Sequence, residues 1–207
     1  RPIASKEIGL EDAFIFLGIL LLCGLAILIL MPPMTIFLGV VSIPLIIAYP
    51  LMKRITWWPQ AFLGITFNFG ALMGWSAVTG ELGLAPILLY CAGICWTLGY
   101  DTIYAHQDIE DDLRIGVKST AIKFGENSPK WVCGFYGGAL VFFLLAMIFA
   151  GVHWYTYGLC AVGFAFIAHK IYQWDPASKE SSLLTFKSNK IGGLLLFGAL
   201  FIDFILT

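Results

Sequence analysis

Long uncharged apolar runs follow one another down this chain, and its lysines and arginines stand only in every second gap between them. A run of about 20 apolar residues crosses the hydrocarbon core of a bilayer as one helix. Such runs cover Ala13 to Met31, Met34 to Met52, Trp57 to Gly80, Leu82 to Tyr100 and, as two spans folded back at Gly151-Val152-His153, Trp131 to His169. A last run, Ile191 to Thr207, carries Asp203 near its end. The expectation is an all-α, polytopic membrane bundle of seven transmembrane helices in a lipid bilayer, forming one domain over residues 1–207.

Composition agrees. Of 207 residues 59% are hydrophobic and 12% charged, against roughly 25% charged in soluble domains. All twelve basic residues fall at the N-terminus, at Lys53 and Arg54, between Arg114 and Lys130, or between Lys170 and Lys190; the turns at Pro32-Pro33, Glu81 and His153 have none. Positive residues favour the cytoplasmic side, so these gaps are read as cytoplasmic, in a bacterial inner membrane. A net charge of -1 without a basic block excludes nucleic acid as a partner. The five cysteines contain no Cys-x-x-Cys pair and read as packing residues, Cys91 and Cys95 included. Trp57, Trp58, Trp131, Trp154 and Trp174 stand at span ends, where interfacial indoles sit. Gly64, Gly70, Gly74 and Gly80 suit close helix contact in the third span.

Five of the thirteen acidic residues fall between Asp101 and Asp112, on the basic side of the membrane. If the fourth span runs on as a helix, Asp101, Asp108 and Asp112 share one face. Like charges four apart repel by about 0.2–0.5 kcal/mol per pair in water, and more at a low-dielectric boundary. A cation is expected there. The ligands are hard oxygens without cysteine or histidine at zinc spacing, which selects Mg2+ held by Asp108 and Asp112 and completed by phosphate oxygens. Lys53 and Arg54, with Lys118, are cations placed to grip a phosphate or diphosphate, and His106 is a further acid–base candidate.

The segment reads Tyr100-Asp101-Thr102, Tyr104-Ala105, Asp108, Asp112, Gly116, Lys118-Ser119-Thr120 and Phe124-Gly125. It resembles the second aspartate-rich motif of the UbiA-type intramembrane prenyltransferases, most of all the branch that acts on 4-hydroxybenzoate. Tyr49 to Arg54 is similar to that family's basic motif, and Arg1 to Ser5 to the segment after its first aspartate-rich motif. The resemblance aligns the chain with helices three to nine of a nine-helix fold, with 100–125 as the cytoplasmic motif segment, and the first motif is expected just before Arg1.

What the resemblance implies is Mg2+-dependent transfer of a polyprenyl group from polyprenyl diphosphate to the ring of 4-hydroxybenzoate, in ubiquinone biosynthesis. Asp108 and Asp112 would hold the metal, Lys53 and Arg54 the leaving group, and Asp101, Asn68, Tyr104 and Lys118 would orient or shield the substrates. Phe67 is a second ring placed to shield a carbocation. Two alternatives stand beside this: an inactive half-site or assembly partner, and an ion-coupled transporter.

Overall fold

The computed structural model describes Ile3 and residues 5–206. Most of the matched segment from Arg1 to Ser5 and the last residue of the final expected span lie outside them. Eleven helices are described, and all-α membrane architecture is what the chain forms: α1 Leu10–Leu28, α2 Pro33–Ala48, α3 Met52–Ile55, α4 Pro59–Phe67, α5 Phe69–Thr79, α6 Leu84–Ala105, α7 Ile109–Ile115, α8 Thr120–Phe124, α9 Ser128–Ala150, α10 Trp154–Tyr172 and α11 Lys179–Leu206.

Among the described residues, six helical segments are long and apolar enough to cross a membrane. The sixth expected span exists as α10, but Trp154, Tyr155, Tyr157, His169 and Lys170 at its ends dilute its apolar content. Helix α11 begins twelve residues before the expected Ile191, because the Ser178 hydroxyl caps the Ser181 amide. The expected single span from Trp57 to Gly80 breaks at Asn68. There the side-chain amide donates to Gly64 O at 2.8 Å, the carbonyl that also receives the Asn68 backbone N–H, and this local competition interrupts the helical ladder.

Helices do not associate in lipid to escape water; close approach and complementary shape hold them. The most extensive pairing is α6 with α9, followed by α10 with α11. In the first, Gly99 lets the Tyr136 ring lie against the α6 backbone. In the second, Gly163 meets Leu196 and Gly192 meets Ile167. Two buried clusters result, one around Ala92, Phe143, Met147 and Leu196, the other around Ile103, Val132, Tyr136 and Ile167. Among the described residues helix α1 buries no side chain, and its most extensive contact is with α2. Of the glycines expected to pack closely in the third span, Gly64 does, against the α6 backbone at Ile94, whereas Gly70 and Gly74 have open space beside them. The five cysteines are all free thiols.

Candidate functional site

Helix α6 does not run on through the acidic segment. The amides of His106, Gln107 and Asp108 turn back onto Ile103, Tyr104 and Ala105 in tight three-residue bonds, and a separate helix starts after Asp108. The single-face arrangement expected from spacing is therefore replaced by two helices. The physical reason is the helix dipole: Glu110, Asp111 and Asp112 occupy the first turn of α7, where a positive end favours them. On a prolonged α6 they would crowd its negative end. Gly116, at φ +70, closes α7 with a left-handed cap.

The loop after Gly116 is tied to the basic segment. Lys118 N donates to Lys53 O at 2.8 Å, and Lys118 Nζ to Ile55 O at 3.1 Å. The following turn is anchored below: Thr120 N donates to the fully buried Gln60 side chain at 3.1 Å, and the Thr102 and Thr120 hydroxyls meet at 2.7 Å. Above, Lys179 at the start of α11 pairs with Glu110 at 2.8 Å. On the opposite face Asp203 accepts from Thr156 and from the His153 amide.

These ties decide which expected site residues meet. Asp101 is half-buried near the end of α6 within the fields of Lys53 and Asp108. Asp112 is buried, and its Oδ2 has no hydrogen-bond partner. Burial pushes its carboxyl above the usual carboxylate range; the Lys53 ammonium opposes this, and Asp108 and Asp111 reinforce it. Asp101, Asp108, Asp112 and Lys53 thus form one electrostatic group. An unpartnered buried carboxylate oxygen beside a second carboxylate fits a hard cation completed by water and phosphate, although no group of three metal-binding side chains occurs among the described residues.

Other expected residues are placed differently. Arg54 is exposed and makes no ion pair among the described residues. Lys118 turns its ammonium to Ile55 O and over Trp57, 5.7 Å from the ring centre, which leaves it spent on holding the loop. His106 is buried edge-on to Trp174, its Nε2 unpartnered; burial lowers its pKa and a hydrogen bond to the Pro176 backbone opposes that. Trp174 is correspondingly buried and donates to Ser182, so it packs the bundle and does not float at the interface. Trp58 packs with Phe124, while Trp57, Trp131 and Trp154 are exposed.

Asn68 and Phe67 line a membrane-embedded cavity of about 440 Å³, with Gly93, Trp96, Tyr100 and Phe197 among its walls. Its neighbour, a chamber of about 610 Å³, shares Trp96 and Tyr100 and is completed by Phe186, Lys187, Asn189 and Lys190. Tyr104 lies beside Phe186 at 4.7 Å between ring centres. Sequence reasoning missed the α11 residues, since Lys187 and Lys190 read simply as part of the positive-inside pattern.

A profile of the UbiA prenyltransferase family matches residues 1–192. The mitochondrial 4-hydroxybenzoate polyprenyltransferase of Arabidopsis thaliana is 45% identical over 198 residues, which cover 95% of this chain and 49% of that protein. Its Homo sapiens counterpart is 46% identical over 203 residues, covering 95% and 53%. The chain spans about half the length of the curated relatives it matches. Their mitochondrial names give no support to the expected bacterial inner membrane; what stands is an integral membrane protein. In fold the chain matches the apo structure of a UbiA homologue from Aeropyrum pernix K1, with a TM-score of 0.79 at 19% identity, over 99% of this chain and 76% of that one. It also matches digeranylgeranylglyceryl phosphate synthase, with a TM-score of 0.76 at 22% identity, over 100% and 74%. By motif, fold and sequence, the chain belongs to the UbiA prenyltransferase family.

Proposed function

We propose that the protein transfers a polyprenyl group from polyprenyl diphosphate to the ring of 4-hydroxybenzoate, a step of ubiquinone synthesis, with Mg2+ as cofactor and the acidic segment on the cytoplasmic or matrix side. The observation that carries this is the unpartnered, buried Asp112 oxygen, grouped with Asp108, Asp101 and Lys53. The names of the relatives supply the substrates.

Asp108 and Asp112 would hold the metal, with Asp101 supporting them. When bound, Mg2+ supplies charge neutralisation to the diphosphate as its bond to the allylic carbon breaks. Lys53 binds leaving phosphate oxygens beside them. The cavity lined by Phe67, Asn68 and Trp96 receives the prenyl chain and keeps water from the allylic cation. Tyr104 and Phe67 present rings whose faces favour a cation. The acceptor carbon ortho to the hydroxyl then forms the new carbon–carbon bond, and the ring releases the proton from that carbon.

The test uses the intact membrane protein with a polyprenyl diphosphate and 4-hydroxybenzoate. Product should form with Mg2+ and cease with chelator, and Asp108→Asn should abolish transfer without changing membrane insertion. Retained turnover in that variant sinks the site. The other reading is a half-site; Mg2+-dependent binding of the diphosphate without product would select it.

A further inference from the structure

Helices α9 and α10 follow one another across the turn at Gly151, yet each packs mainly elsewhere, α9 on α6 and α10 on α11. Between them a groove of about 590 Å³ remains. It runs along α9 from Pro129 to Leu140, eleven residues or about 16 Å. That is one leaflet of a hydrocarbon core about 30 Å thick. Cys133 and Tyr172 on its rim are exposed, so the groove opens on the outer surface of the bundle. The prenyl cavity lies behind a wall of rings, its Trp96 packing at 5.6 Å on both Tyr136 and Phe164 of the groove.

The walls are largely apolar, and none of the described residues that line them is charged. Two wall residues with polar tips are committed inside the bundle: the Tyr136 hydroxyl donates to Asn189 Oδ1 at 2.6 Å, and Trp174 Nε1 to Ser182 Oγ at 3.0 Å. The acidic-side end differs. His106 packs edge-on to Trp174 at 5.1 Å and is only 7% exposed. The antiparallel register that sets Gly99 against Tyr136 and Ile103 beside Val132 brings position 106 level with Pro129 and next to Ser128.

Proline offers a carbonyl and no N–H, so the bond between His106 and the Pro176 backbone is a donation from the imidazole. Because Nε2 has no partner among the described residues, Nδ1 makes that bond, and Nε2 is left as a buried acceptor. Ser128 Oγ is fully buried and likewise unpartnered. Buried polar atoms without partners are costly and uncommon. One ligand hydroxyl can satisfy both, donating to Nε2 and accepting from the serine.

We infer that this groove binds a single-chain lipid with an uncharged hydroxyl head from the acidic-side leaflet, the hydroxyl on His106 and Ser128 and the tail along Gly137, Leu140 and Phe164. Walls without charge disfavour a phospholipid head, and a groove one leaflet deep and of this volume takes one chain. Room for the tail exists at Gly137, where a Cβ would meet nothing within 4 Å. The site lies outside the transfer site proposed above, across the ring wall.

The experiment is photolabelling of the intact protein in phosphatidylcholine nanodiscs with a long-chain alkanol and a para-alkylphenol, each carrying a diazirine in its tail, and with the methyl ether of each. Either alcohol should label the groove-facing peptides of α9 and α10 saturably, at about tenfold lower concentration than its ether, which cannot donate a hydrogen bond. The stronger of the two alcohols tells an aliphatic head from a phenolic one. Gly137→Leu places a side chain in the open groove and should abolish saturable labelling with an unchanged circular dichroism spectrum. His106→Phe keeps a ring against Trp174 and should make alcohol and ether label alike. Equal labelling by alcohol and ether in the parent overturns the assignment, as does labelling that persists in Gly137→Leu. Labelling that never saturates also overturns it, leaving the groove to ordinary bilayer lipid and water. Labelling is read without turnover, so an absence of transfer bears on the proposed function alone.

Discussion

The backbone N–H of Lys118 donates to the backbone oxygen of Lys53 at 2.8 Å. Two gaps on the same side of the membrane, sixty-five residues apart in sequence, are thereby joined at the residue whose ammonium offsets Asp112. The basic and acidic segments form one unit because of this bond, while the Lys118 side chain reinforces it through Ile55 O. Neutralising Lys118 should therefore matter less than neutralising Lys53. Lys118→Met should keep most of the Mg2+-dependent transfer and Lys53→Met should lose most of it, as measured by product formation in membranes.

Gln60 is the inner anchor of the same unit. It is buried, and its side-chain oxygen is the acceptor for Thr120 N–H. Gln60→Leu leaves that amide unpaired in a dry setting, which costs about 1–3 kcal/mol. Gln60→Glu keeps an acceptor oxygen and should pair with the amide, at the expense of burying a charge unless it takes up a proton. Thermal melts in detergent should show Gln60→Leu lowered at every pH, with Gln60→Glu recovering toward the parent as pH falls.

Asp112 gives a prediction of the opposite sign. Its carboxyl titrates above the usual range, first because it is buried, with Lys53 opposing and Asp108 and Asp111 adding. A carboxyl whose folded pKa is raised destabilises the fold above that pKa, and the penalty disappears below the unfolded value. Metal-free Asp112→Asn should therefore melt higher than the parent at neutral pH, by the 2–4 °C that about 1 kcal/mol is worth in a chain of this size. The gain should shrink on acidification. Added Mg2+ should raise the melting temperature of the parent and not of the variant; equal protection of both would remove Asp112 from the metal site.

The helices were legible in the sequence wherever a property of many residues decided them. Apolar run length located the spans, and the alternation of basic gaps put Lys53, Asp108 and Lys118 on one side, where the structure bonds Lys118 to Lys53. Features decided by one or two side chains were less visible. The break at Asn68 depends on a side-chain amide finding Gly64 O and Thr97 Oγ1, and the turn at 106–108 on which helix end the carboxylates prefer. The early start of α11 did have a signal, a serine at position 178 ahead of a polar first turn. The Tyr136–Asn189 bond between α9 and α11 had none, because it joins two side chains fifty-three residues apart in sequence.

The Tyr136–Asn189 bond between α9 and α11 gives a stability prediction. Tyr136→Phe removes the hydroxyl that Asn189 accepts, at a cost of about 0.5–1.5 kcal/mol for a typical hydrogen bond. It leaves the ring in place against Gly99 and Trp96. The variant should remain folded by circular dichroism and melt slightly lower than the parent, since α11 keeps its packing on α10 and α6. An unchanged melting temperature would mean that the hydroxyl adds nothing to stability.

Asn68 supplies the last prediction, and it tests whether the broken third span is needed. Its side chain bridges Gly64 O at 2.8 Å and Thr97 Oγ1 at 3.0 Å, from α4 across to α6. It fits there only because position 93 lacks a side chain: a Cβ on Gly93 would fall on the Asn68 side-chain oxygen. Gly93→Ala therefore has to expel Asn68 from its place on the cavity wall, while alanine itself suits the interior of α6. The expected result is a folded helical protein with transfer reduced at least tenfold. Asn68→Ala should reduce transfer similarly, and the double variant should be no worse than either single one, because the clash is gone with the amide. Additive losses would show that Gly93 and Asn68 act independently and that the break at Asn68 does not shape the cavity.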